Sequence, residues 1–494
     1  MKLNKNRLKK QIQQMVDKVN NEAINTNGTI PRFWQLYLDS DVDMGLDIVD
    51  TCATSQALVI LLHSKDYVND YSKYFDLICE AVASIVGLCD DKGAWPSAIS
   101  VEEMAKYYTR NGDTAIGDNC FALSALLDAG FLSDNFSFGK ELPKNITSLQ
   151  DRVEFMFKAI NWLKMHMADD GYGWYYTSDT SKKSVSLTTI NVLQVMSEAL
   201  FSLQVEIKSY PEELFKKAND MINDLKKFIS NSFGKFTFIE GYDSSSIGQF
   251  VNSSADDKPS FIHTCKLINL ILYNNQYTGV ILYKDWEDFA QYIVSEIIKY
   301  NLDYDNWPDL ILFEKYSLMK ISEFGIKSKP IVIDHENYVY GIAMYTLINM
   351  YINGFDVNTQ LIENAARVLL SQVTNGIFRC KSKRDSKCNF PIYSSCEAFR
   401  AIDQYLKYYE KINVDSVQLN EEAVELVKVV KEMIKKIKDD KLKRYGKEQI
   451  TASEEEYIRE LNNLLKTINN ETVEEIKTKV ITIKNICKEE FGIE

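Results

Sequence analysis

The sequence predicts an all-α fold: an (α/α)6 toroid, six helical hairpins in two concentric rings, followed by a helical C-terminal extension. Three observations predict it. One layout recurs six times, the two helices of each unit differ in how they hide from water, and the connections alternate between short and long.

Each unit begins with an amphipathic helix. Tyr67–Leu88, Leu149–Met167 and Pro211–Phe233 carry apolar residues at i, i+3, i+4 and i+7 with Lys, Asp and Glu between them, so they bury one face and wet the other. A polar loop follows, opening on an aromatic residue: Trp34 in RFWQLY, Trp95 in KGAWPS, Trp174 in GYGWYY, Phe236 in FGKFTF, Trp307 in DNWPDL and Phe378 in NGIFRC. The second helices read VDTCATSQALVILL, GDNCFALSALLDAG, SLTTINVLQVMSEAL, FIHTCKLINLILY, YVYGIAMYTLINMY and YSSCEAFRAIDQYL. They are apolar on most faces, with Ser, Thr, Ala and Cys near their starts. Such helices are buried all round.

The second helices recur about every 55 to 77 positions, wider than the roughly 34 to 47 of helical solenoids. Links from a second helix to the next first helix are short, as at 64–66 and 353–355. Links from first to second helix run to about 16 to 32 residues, and long loops in a compact domain are usually functional. All six long loops should therefore emerge at one end of the ring, around the mouth of a central cavity.

The ring is expected over residues 1–411. Beyond it the texture changes: over 412–494 aromatics almost vanish, and Lys and Glu alternate with Val, Ile and Leu. Those residues read as charged amphipathic helices that brace the toroid or meet a protein partner.

Composition limits the functional classes. The chain has 494 residues, a formal net charge of −13, and only 20 Gly and 8 Pro, which argues against a turn-rich β fold. The acidic balance repels a phosphate backbone, so no nucleic-acid partner is expected. No apolar run approaches the roughly 20 residues of a membrane span. The basic start, 1–10, is followed by no apolar h-region. Nine irregularly spaced cysteines read as reduced thiols, so a cytoplasmic location is expected.

The glycine-aromatic loop followed by a Ser/Thr-rich apolar helix resembles the repeats of the terpenoid cyclase and protein prenyltransferase superfamily. KGAWPS before GDNCFALSALLDAG, DDGYGWYYTSD before SLTTINVLQVMSEAL, and NGIFRC before YSSCEAFRAIDQYL carry the resemblance, over roughly residues 30 to 410. It implies an enzyme that holds an isoprenoid or similarly apolar substrate in the cavity. Protonating cyclases of that superfamily carry an Asp-x-Asp-Asp run; here Asp41 and Asp43 lack the final Asp, and Asp47 and Asp50 follow one turn apart. Prenyltransferases of the superfamily bind zinc through Asp-x-Cys and a His. Carried over, that implies Asp118, Cys120 and His263 as metal ligands, with zinc or magnesium as the cofactor, although the intervening helix start Leu187-Thr188-Thr189 supplies no ligand.

Other candidates lie on the same rim. Asp334, His335 and Glu336 form the densest titratable cluster at a second-helix start, where a His beside two carboxylates can act as an acid. Glu397 interrupts an apolar helix, and a buried carboxylate needs a partner or a function. Arg379, Lys381, Lys383 and Arg384 crowd one loop of an acidic protein and suit the diphosphate of an apolar substrate. Trp95 and Trp174 are the aromatic candidates for substrate contact. Asp50 and Asp118 come first as acids or metal ligands, with Asp334, His335, Glu336 and Glu397 beside them as catalytic candidates. Two alternatives stay open: a carbohydrate-active enzyme using an Asp/Glu pair, and a non-catalytic toroid that recognises a peptide or small ligand and signals through its C-terminal helices.

Overall fold

The structure, a computed structural model, describes residues 4–26, 30–35, 38, 48–96, 98–100, 116–136, 141–171, 173–175, 184–233, 236–239, 249–252, 261–280, 316–317, 332–334, 336–371, 373–374, 376–378, 381–382, 392–412, 478 and 481. Eleven longer α-helices lie among these residues: α1 (Lys5–Asn21), α2 (Thr51–His63), α3 (Phe75–Leu88), α4 (Ile116–Asp128), α5 (Leu149–Met165), α6 (Ser186–Glu206), α7 (Glu212–Phe233), α8 (Phe261–Tyr273), α9 (Glu336–Ile352), α10 (Thr359–Ser371) and α11 (Ile392–Lys407). The expected amphipathic helix at Tyr67–Leu88 is shorter than its pattern. Its first residues form a turn and the 3-10 segment Tyr71–Tyr74, and α3 proper begins at Phe75.

Helices α2, α4, α6, α8, α9 and α11 are the inner ring. Each packs on the next, and α11 packs back on α2, so the ring closes. That closure excludes a solenoid and establishes the (α/α)6 toroid. Helices α1, α3, α5, α7 and α10 are the outer members described. The fifth outer helix and the extension over 413–494 lie outside the described residues, apart from Thr478 and Ile481.

The loop aromatics explain why this sequence repeats. Trp34, Trp95 and Trp174 are fully buried, and each indole N–H donates to a carbonyl in the last turn of its outer helix: Val19 of α1 at 2.6 Å, Ile85 of α3 at 2.7 Å and Leu163 of α5 at 2.6 Å. Those carbonyls lie among the last four of their helices, where backbone donors run out, although Leu163 also accepts from the His166 N–H at 3.2 Å. The backbone N–H of the same aromatic donates to the fourth residue of the next inner helix: Trp34 to Thr54, Trp95 to Asn119, Trp174 to Thr189 and Phe378 to Ser395. One loop residue therefore ties the end of an outer helix to the start of an inner one. Burying those polar groups without such partners would cost about 1–3 kcal/mol each.

The loops also lock one hairpin to the next. Gly93 has φ +90°, and a Cβ there would meet the α5 backbone at Lys158 at 2.8 Å. Gly376 has φ +83°, and a Cβ would meet Gln14 and Met15 of α1 at 2.5 Å. The second contact joins the last hairpin to the first. Tyr67 reinforces that seam by donating to Asp403 Oδ1 at 2.6 Å.

Short antiparallel ribbons stitch neighbouring loops at the mouth. Strand β1 (Ile48–Asp50) pairs with β2 (Ala98–Ser100), setting Asp50 opposite Ala98. Strand β3 (Val332–Asp334) pairs with β4 (Lys381–Ser382), setting Asp334 opposite Lys381.

Candidate active site inside the inner ring

Asp50 ends β1 and caps α2, its Oδ1 accepting from the Ala53 N–H at 2.7 Å. An aspartate at an N-cap ordinarily titrates low. Here burial, and next the negative charge of Asp118, raise it to about 7, against the opposing hydrogen bonds from the Ala53 and Cys52 N–H groups. Asp118 stands in the first turn of α4, so two consecutive inner helices each bring a carboxylate to the mouth. A carboxyl raised in this way keeps its proton near neutrality.

Below this pair the ring interior stays charged. Lys266 of α8 reaches Glu397 Oε1 of α11 at 3.4 Å across the ring, and both side chains are largely buried. The fields of Asp118 and Lys266 are both felt at Cys52 and Cys120. Both thiols are pushed well up, first by burial and then by Asp118, which keeps them protonated.

A second polar storey lies deeper. Glu198 of α6 accepts from Ser124 of α4 at 2.7 Å and from Gln194 at 3.0 Å; burial and then the Asp128 charge raise its pKa. His63 of α2 meets Asp128 at 3.2 Å. Gln404 donates to Asn349 Oδ1, Asn349 to Asn269 Oδ1, and Asn269 to Thr346, each at 2.9 Å, linking α11, α9 and α8. Burial alone would lower the Arg400 pKa, but Cys396, Glu397, Asp128 and Glu198 together raise it.

Of the residues named from sequence, Asp50, Asp118, Cys120 and Glu397 lie on the inner ring, and Lys266, Glu198, Asp128 and Arg400 join them there. Lys266, Glu198 and Arg400 interrupt inner helices in the way Glu397 does, so the same signal marks them, whereas Asp128 ends α4. Trp95 and Trp174 are corrected: both are fully buried staples with their ring nitrogens bonded to backbone, and no face is left for substrate. Asp170 closes its own loop by accepting from Ser184 N at 2.8 Å. Asp334 and Lys381 are brought together by strand pairing. Asp41, Asp43, Asp47, His335, Arg379, Lys383 and Arg384, and the side chains of His263 and Glu336, lie outside the described residues. Among the described residues, no group of three or more His, Cys, Asp or Glu side chains is placed to hold a metal ion, and no helix is long and apolar enough to cross a membrane. The described cysteines Cys52, Cys79, Cys89, Cys120, Cys265 and Cys396 are free thiols.

No family model matches the chain. No curated protein is significantly similar to it in sequence. Solved structures are similar in fold. A cellobiose 2-epimerase from Bacillus thermoamylovorans aligns with a TM-score of 0.53 and 12% identity, covering 82% of this chain and 98% of that one. A sugar epimerase from a ruminal bacterium aligns at 0.53 and 11%, covering 81% and 98%. A cellobiose 2-epimerase from Spirochaeta thermophila aligns at 0.51 and 10%, covering 81% and 97%. At such identities the likeness shows the fold alone.

The expected isoprenoid enzyme is overturned on two counts. The toroids that this chain resembles are sugar epimerases rather than terpenoid cyclases or prenyltransferases. The ring interior is charged and hydrogen-bonded at two levels, whereas an apolar chain needs a deep greasy cavity with charge at one end only. The aromatic-loop pattern belongs to the toroid and its helix staples, not to one chemistry.

Proposed function

We propose that the chain is a carbohydrate-active enzyme that cleaves a glycosidic bond with the Asp50–Asp118 carboxyl pair. Asp50 gives its proton to the bridging oxygen as the C1–O bond breaks, and ionised Asp118 takes a proton from the water that attacks C1. The observation that carries this reading is the placement of Asp50 and Asp118 at the starts of consecutive inner helices, where burial and the Asp118 charge raise Asp50 to about 7. Glu397, paired with Lys266, supplies a further fixed charge where positive charge develops on the sugar ring. The shared fold with sugar epimerases agrees with a sugar ligand at the level of analogy.

The test is proton NMR of the protein with a panel of neutral β-1,4- and α-1,6-linked oligosaccharides at pH 5 to 8. New reducing ends should grow in with wild type, and the rate should fall about 100-fold or more in Asp50→Asn. Epimerised sugar without cleavage, or cleavage undiminished in Asp50→Asn, overturns the reading.

A further inference from the structure

The deeper storey is not used by the chemistry above. Glu198, Gln194, Asn269, Tyr345 and Arg400 are all partly exposed, although the helices that carry them are otherwise packed on both sides. They therefore face the space enclosed by the ring. Arg400 is the unusual member. The charges of Glu397, Asp128 and Glu198 all act on it, yet among the described residues its guanidinium makes no hydrogen bond or ion pair. Five N–H donors with no acceptor among the described residues, on a side chain that reaches the enclosed space, are an open binding capacity.

The surroundings say what would fill it. The Glu198 oxygens accept one hydrogen bond each, from Ser124 and Gln194, and retain lone pairs. A hydroxyl can accept from Arg400 and donate to Glu198 at once. A carboxylate or phosphate only accepts, and would stand in the field of Glu198, Asp128 and Glu397. Asp118 lies one residue before the stapled Asn119 of α4, and Arg400 five residues after the stapled Ser395 of α11. Those six residues of rise correspond to roughly 9 Å along the ring axis, more than one sugar ring occupies.

We infer that Arg400, with Glu198, forms a second sugar subsite below the acid pair, and that the ligand is a neutral oligosaccharide of at least two units spanning both levels. The inference rests on the carbohydrate reading above and adds the size and charge of the substrate. Arg400 is a specificity-determining residue in this arrangement, remote from the bond that breaks.

The test is calorimetric titration of the full-length chain in an Asp50→Asn background, where bound sugar is not consumed. The probes are glucose, mannose, cellobiose, α-1,6-mannobiose and digalacturonic acid, and cleavage by the wild type is measured separately. A neutral disaccharide should bind at least tenfold tighter than either monosaccharide. Arg400→Gln should weaken it about 10- to 100-fold, the range for a lost charged hydrogen bond, and leave monosaccharide binding at the mouth unchanged. Arg400→Lys should recover part of the loss, and unchanged thermal unfolding would separate the effect from misfolding. Equal loss for both sugar sizes, no loss at all, or tighter binding of digalacturonic acid overturns the subsite even where wild type cleaves sugars. Sugar binding that follows this pattern without cleavage overturns the reaction and keeps the subsite. No binding of any saccharide overturns both.

Discussion

Replacing Trp95 by Phe tests whether the loop aromatics are staples. Trp95 is fully buried, its ring N–H lies 2.7 Å from the Ile85 carbonyl, and its ring meets Phe155 edge-on at 5.9 Å. Phenylalanine keeps most of the apolar volume and an edge contact, but no N–H. The Ile85 carbonyl, in the last turn of α3, then loses its side-chain donor. Leaving it buried costs about 1–3 kcal/mol, and the smaller ring adds roughly 1 kcal/mol of lost packing. The expected destabilisation is about 2–4 kcal/mol. Urea unfolding followed by tryptophan fluorescence and far-UV circular dichroism measures it, with the Asn119→Ala variant as a second break in the same tie, since Asn119 also donates to the Trp95 carbonyl at 3.1 Å. A change below 0.5 kcal/mol in Trp95→Phe, on the scale of ordinary surface substitutions, together with loss of sugar binding, would refute the reasoning and return Trp95 to the cavity.

Three further outcomes follow. Asp50 binds its proton more tightly folded than unfolded, so between about pH 4 and 7 the native state holds the extra proton and stability falls as pH rises. Three pKa units at about 1.4 kcal/mol each set a ceiling near 4 kcal/mol; Asp50→Asn, which can still cap α2, should be more stable than wild type at pH 8 and lose that advantage by pH 4 in paired thermal melts. Gly376→Ala must displace the α1 backbone, now 2.5 Å from where the Cβ would sit, and adopt a left-handed φ as well; its midpoint should fall by more than that of an alanine at Gly171, where nothing lies within 4 Å. Tyr67→Phe leaves Asp403 with Lys407 as its described partner at 2.7 Å and should cost about 1–2 kcal/mol, read by the same unfolding assay.

The architecture is legible because the toroid repeats its constraints. An aromatic, a polar loop and a small-residue helix start recur in the chain because each hairpin needs the same tie, from Trp34 and Thr54 to Phe378 and Ser395. The chemistry is less legible. A repeated Trp looks like a substrate platform in sequence, and only the distance to the Ile85 carbonyl shows it to be a staple. Glu397 is visible as a charge in an apolar helix, and Lys266, Glu198 and Arg400 carry the same mark. What sequence lacks is helix rotation: a few tens of degrees decide whether Glu198 meets Ser124 of the neighbouring inner helix or an outer helix instead. The pairing of Asp50 with Asp118, some seventy positions apart, needs the closure of the ring to be seen.

The most direct test of the central claim is the titration of Asp50 itself. Carbon NMR of aspartate-labelled protein, with Asp50→Asn identifying the resonance, follows its carboxyl carbon from pH 3 to 9. A midpoint near 7 that drops when Asp118→Asn removes the neighbouring charge is the expected result. A midpoint below 5, unmoved by Asp118→Asn, would leave the mouth of the ring without its acid and contradict the account.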